Sequence, residues 1–127
     1  MNSKILHIGI DDTDSYCGRC TTNLAFKVTS KLTSELDSVF IDYPLLVRLN
    51  PNIPWKTRGN GGICLRIKTN QPSQIIEYLA KIVKVESDIQ NGPNPGLVIF
   101  ESDTIPLSLR QFSAKALYDV LKLEDAE

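Results

Sequence analysis

Residues 39–68, VFIDYPLLVRLNPNIPWKTRGNGGICLRIK, decide the fold. Val39 to Leu49 has strand character, but Pro44 interrupts it and removes a ladder donor, which fits an edge position or a bulge. Ile63 to Lys68 alternates apolar with polar, as a half-exposed strand does. Between them, Asn50 to Gly62 carries Pro51, Pro54, Gly59, Gly61 and Gly62 and reads as a long loop. The two strands are expected to pair antiparallel across it.

An amphipathic segment flanks this hairpin on each side. Upstream, Leu24, Val28, Leu32 and Leu36 recur every fourth residue, which marks one face of a helix starting near Thr21 or Thr22. Downstream, Pro72 sits where a helix tolerates proline, and Ile75, Ile76, Leu79, Ile82 and Val83 supply an apolar face. A short apolar strand from Lys4 to Ile10 precedes the first helix. After the breakers Gly92 to Gly96 comes the apolar run Leu97 to Phe100, then Leu109, Phe112, Ala116, Leu117 and Val120 outline a third helix, with Glu124 to Glu127 as a frayed tail. The order β-α-β-β-α-β-α predicts an α+β fold, a split βαβ (ferredoxin-like) sheet of about four strands. Its first and last strands lie side by side and its helices cover one face.

A length of 127 residues with 42% hydrophobic and 23% charged residues suits one compact domain over residues 1–127. The apolar runs fall far short of the roughly 20 residues a membrane helix needs, so no membrane partner is expected and the chain reads as cytoplasmic. Fourteen basic against fifteen acidic residues, net −1, give no global attraction for nucleic acid, so any RNA contact has to be local. Three cysteines, Cys17, Cys20 and Cys64, are an odd number and argue against a disulfide framework. Cys17 and Cys20 form a Cys-x-x-Cys, but a zinc site normally has four ligands and only Cys64 and His7 remain, so the cysteines are taken as structural or incidental. His7, inside the first strand, is taken as packed.

Chemistry concentrates in two places. Asp11, Asp12 and Asp14 crowd the end of the first strand, where their repulsion needs a cation or hydrogen-bond donors to offset it. Magnesium takes oxygen ligands and is usually held by one or two carboxylates with substrate phosphates. Strand alternation would point Asp12 away from Asp11, so not all three need be ligands. The plainer reading is a solvated turn and helix-entry cap. Gly18, Thr21 and Thr22, however, follow just before a helix whose first amides favour anions. The second place is Lys56, Thr57, Arg58, Gly59, Asn60 and Gly61, where cations and a hydroxyl flank glycines that let backbone amides approach a phosphate. It is not the Walker pattern, and a flexible hairpin tip is the plainer alternative. Trp55 beside Lys56, with Arg48, Asn50 and Asn52 before it, resembles nucleic-acid-binding composition, although a solitary tryptophan is more often a packing residue.

The strings Gly9-Ile-Asp-Asp-Thr-Asp-Ser15, Cys20-Thr-Thr22, Leu49-Asn-Pro-Asn-Ile-Pro54 and Lys56-Thr-Arg-Gly-Asn-Gly61 together resemble the N-terminal part of archaeal tRNA-isoleucine agmatidine synthetases. Asn94-Pro-Gly96 and a helix ending in Asp119-Val-Leu121 are similar too. The resemblance implies an unusual kinase domain that binds ATP and Mg²⁺, phosphorylates one of its own threonines and activates the wobble cytidine of isoleucine tRNA for replacement by agmatine. It also implies Asp11, Asp12 and Asp14 as metal and catalytic acids and Thr21 as the phosphorylated threonine. Lys56, Arg58, Gly59, Asn60 and Gly61 would hold phosphates, with Gly18, Thr22 and Thr57 joining the nucleotide site. Thr21 read without the resemblance is equally a helix N-cap. The family's full-length enzymes continue into further kinase sequence, a ferredoxin-like domain, an OB-fold and a zinc ribbon, so the chain is expected to be the N-terminal portion of such an enzyme or a short paralogue. The alternatives are a non-catalytic RNA-binding domain and a stand-alone nucleotide-binding regulator.

Overall fold

A computed structural model of the chain describes residues 3–14, 20–56, 60–87, 90 and 94–127. The elements run β1 (Lys4–Asp11), α1 (Thr21–Ser34), β2 (Val39–Phe40), β3 (Leu45–Arg48), β4 (Gly61–Thr69), α2 (Pro72–Glu86), β5 (Gly96–Glu101), α3 (Leu107–Lys115) and α4 (Leu123–Ala126). Strand β1 lies in the middle, antiparallel to β4 on one side and to β5 on the other. Both β2 and β3 pair antiparallel with the far side of β4. The first and last strands are therefore neighbours, as a split βαβ arrangement requires. The expected second strand is present in two pieces, so the described residues form a five-stranded sheet. The break falls at Pro44, which has no N–H to give, and Asp42 within it pairs with Arg66 of β4.

The strand period and the helix period meet in one core. Leu6, Ile8 and Ile10 of β1 and Ile63, Leu65 and Ile67 of β4 point to the same face. They are covered by Leu24, Val28 and Leu32 of α1 and by Ile75, Leu79 and Val83 of α2. Truncating such a residue, for example Leu32→Ala, would cost about 2 to 5 kcal/mol. The opposite face carries His7, Gly9, Cys64 and Arg66, all half-buried. His7 Nε2 lies 2.9 Å from the Ser102 carbonyl and its ring tilts against Phe100, which agrees with a packed histidine.

Two expectations fail at the C-terminal end. Helix α3 stops at Lys115, so Ala116, Leu117 and Val120, along with Asp119-Val-Leu121, fall beyond it. The chain turns there, and the Asn50 N–H donates to the Ala116 carbonyl at 3.1 Å. The tail is not frayed either, since residues 123–126 form the short α4, at whose start the Asp125 carboxylate accepts the Lys122 N–H at 2.8 Å. Among the described residues no helix is long and apolar enough to cross a membrane.

Candidate functional site

The strand register delivers the first acidic group. Asp11 is the last residue of β1, paired with Gly62 of β4 on one side and Gly96 of β5 on the other. A side chain at Gly96 would run into the Asp11 carboxylate, so only glycine permits this close approach. The Gly96 N–H donates to that carboxylate. Burial first, and the neighbouring Asp12 charge second, push the Asp11 carboxyl above its usual range, while the Gly96 bond opposes them.

Alternation ends one residue later. Asp12 has φ 47°, the left-handed region, so the chain swings out of the sheet and Asp12 is not turned to the opposite side as a continuing strand would require. Its Oδ2 accepts the Asn94 N–H at 3.0 Å. Asp14 then reaches the start of α1, where its Oδ1 accepts the Thr21 N–H at 2.5 Å and the Thr21 hydroxyl at 2.9 Å. The N-cap is Cys20, which makes no side-chain cap bond, and Thr21 is the first helical residue. The expectation of Thr21 as N-cap is thereby corrected: Asp14 satisfies the orphan amide from outside the helix.

The opposing wall comes from the hairpin loop. Asn50 is buried, and its Nδ2 donates to the Asp119 carbonyl at 3.2 Å while its Oδ1 accepts the Asn52 N–H at 3.0 Å. Asn60, with φ 53°, donates from Nδ2 to the Asn50 carbonyl at 2.7 Å, and its own carbonyl accepts the Leu49 N–H at 2.8 Å. Asn50, first grouped with a nucleic-acid-like surface, instead holds the loop's base. Lys56 Nζ donates to the Ile53 carbonyl at 3.2 Å. Trp55 is 77% exposed, so the packing role expected of it is wrong.

These two walls enclose one open, polar cleft of about 170 Å³ lined by Asp11, Asp12, Asp14, Thr21, Trp55, Lys56, Asn60 and Gly61. The acidic trio and the Lys56 segment therefore face each other. Thr22 is exposed and stands outside the lining; its Oγ1 lies 2.7 Å from Cys20 Sγ, a bond that lowers the Cys20 thiol below its ordinary value. Gly18, Thr57, Arg58 and Gly59, like Cys17, lie outside the described residues. Among the described residues no three His, Cys, Asp or Glu side chains are grouped to hold a metal by themselves. Cys20 and Cys64 are free thiols. The sequence reading missed Thr13, Asn94 and Gly96 as parts of the site's support. The glycines and prolines of residues 92–96 and the position of Thr13 within the acidic string were the signals available.

The sequence pattern of the TiaS TCKD domain matches residues 7–127. The 2-agmatinylcytidine synthetase TiaS of Cenarchaeum symbiosum, whose full name specifies an isoleucine tRNA, is 46% identical over 121 residues, covering 95% of this chain and 27% of that protein. The enzyme of the same name from Pyrococcus horikoshii is 40% identical over 126 residues, 97% of this chain and 29% of its own length. A crystal structure of TiaS in complex with isoleucine tRNA and ATP superposes with a TM-score of 0.85 at 33% identity, over 97% of this chain and 29% of that one. A TiaS complex with the same tRNA, AMPCPP and agmatine gives 0.84 at 31% identity, over 97% and 29%. The chain thus spans between a quarter and a third of the length of these relatives.

Proposed function

This chain belongs to the TiaS TCKD domain family, and on that premise we propose that it is a single ATP-binding, kinase-type domain performing phosphoryl transfer in the modification of the wobble cytidine of isoleucine tRNA. The observation that carries the reading is the shared cleft: three carboxylates and a threonine on one wall, a lysine and glycine-rich backbone on the other. The TiaS relatives crystallised with ATP, isoleucine tRNA and agmatine support those ligands for the whole enzyme of which this is the matching part. No observation favours the non-catalytic RNA-binding domain or the stand-alone regulator.

The roles combine what the resemblance implies with the contacts in the cleft. Thr21 is the phosphoryl acceptor, and Asp14, 2.9 Å from its Oγ1, takes its proton. Lys56, Asn60 and Gly61 steady the transferring phosphates, with Gly18, Thr22, Thr57, Arg58 and Gly59 assigned to the nucleotide from the sequence. Asp11, Asp12 and Asp14 are the metal and catalytic acids, and with Asp14 engaged by Thr21, Asp11 and Asp12 are the pair to hold Mg²⁺. The raised Asp11 carboxyl beside Asp12 is a site where a cation relieves repulsion. Two carboxylates suit an ion that usually completes its shell with phosphate and water. When bound, Mg²⁺ supplies neutralisation of charge on the phosphates.

Incubating the chain with γ-labelled ATP and Mg²⁺ tests this. Label is expected on Thr21, and it should disappear in both Thr21→Ala and Asp12→Asn. Label that persists undiminished in both variants, or no ATP binding by calorimetry, sinks the proposal.

A further inference from the structure

Thr13 has no role in the reading above, yet it is only 2% exposed and aims both its donors at one atom. Its hydroxyl donates to Thr21 Oγ1 at 2.8 Å, and its N–H donates to the same oxygen at 3.3 Å. The Thr21 hydroxyl in turn donates to Asp14 Oδ1 at 2.9 Å. A hydroxyl oxygen has one hydrogen and two lone pairs. In this arrangement the hydrogen is committed to Asp14 and both lone pairs to Thr13.

Transfer to Thr21 forms a bond between Oγ1 and the γ-phosphorus of ATP, breaks the bond from that phosphorus to the bridging oxygen, releases ADP and sends the Thr21 proton to Asp14. The new bond needs a lone pair of Oγ1. We propose that Thr13 is a positioning residue that restrains Thr21: its two donors hold the acceptor's proton toward Asp14 while occupying the electron pair that attack on phosphorus requires. The stronger bond, from the Thr13 hydroxyl, has to open before transfer, whereas the longer one from the backbone can yield with little loss. The inference rests on Thr21 being the acceptor. It adds that the resting structure is held short of reaction by a buried neighbour that does not line the cleft.

The test is the single-turnover rate at which γ-labelled ATP with Mg²⁺ labels Thr21 in the full chain, together with the KM for ATP. Thr13→Val keeps the side-chain shape and removes only the hydroxyl. Releasing one neutral hydrogen bond is expected to raise the rate about threefold to tenfold, with KM unchanged. Thr13→Ser, which keeps the donor, is expected to run at the wild-type rate. If Thr13→Val does not fold by circular dichroism, Thr13→Ala is read in its place. Equal labelling of wild type and Thr13→Val overturns the inference and leaves the proposed function standing. A folded Thr13→Val that labels more slowly overturns it too, because the hydroxyl would then activate the acceptor. No label on any of these proteins overturns the proposed function and the inference together.

Discussion

The two walls of the cleft are built differently. On the acidic wall each carboxylate is gripped by a backbone donor: Asp11 by the Gly96 N–H, Asp12 by the Asn94 N–H, Asp14 by the Thr21 N–H. On the basic wall Lys56 touches its own loop at Ile53 and Trp55 stands in solvent, while the order resides lower down, where buried Asn50 and half-buried Asn60 tie the loop's base to the sheet and to the turn after α3. Groups that repel one another are fixed by donors at each carboxylate, since every N–H bond offsets part of the repulsion. A cation meets no such cost and can be left on a tether. The contrast separates where geometry is set in advance from where a ligand completes it.

Three substitutions can break or sharpen that contrast. The largest effect is expected for Asn50→Ala, which removes the amide that joins two segments and leaves the Asp119 carbonyl and the Asn52 N–H without it. Urea unfolding should show a loss of about 2 to 3 kcal/mol, and an unchanged midpoint would mean that the loop's base is held by something else. Next, Gly96→Ala should leave the fold intact but push the Asp11 carboxylate away. Calorimetry is expected to record Mg²⁺ affinity, measured with ATP present, falling roughly tenfold, the size typical of losing support behind a ligand. Full affinity would show that the acidic wall tolerates displacement. The smallest effect belongs to Trp55→Ala, whose unfolding free energy should stay within about 0.5 kcal/mol of wild type because the ring is already in solvent. A larger loss would place the ring in the packing after all.

Much of this architecture was legible along the chain. The stripe Leu24, Val28, Leu32 and the alternation from Ile63 to Lys68 reported their elements because each is the local image of burial against the same core. Pro44 announced the interruption of the edge strand. The acidic string and the Lys56 segment also declared themselves by composition, and the structure brings their described members together. What the sequence could not carry was support across distance. Asn94 meets Asp12 from 82 residues away, and the carbonyl of Ala116 at the end of α3 is met by the amide of Asn50. The turn at Asp12 was missed because an aspartate in the left-handed region looks like any other aspartate in a strand pattern.

The divided strand has a consequence for the molecule's behaviour in crowded solution. With β2 only two residues long and β3 four, offset around Pro44 and the Asp42–Arg66 pair, that margin of the sheet offers no continuous row of amides and carbonyls to a foreign chain. Short, broken margins with a proline and inward charges discourage a second molecule from adding its own strand. The same kink that makes this hairpin irregular thus guards that edge of the sheet against strand addition.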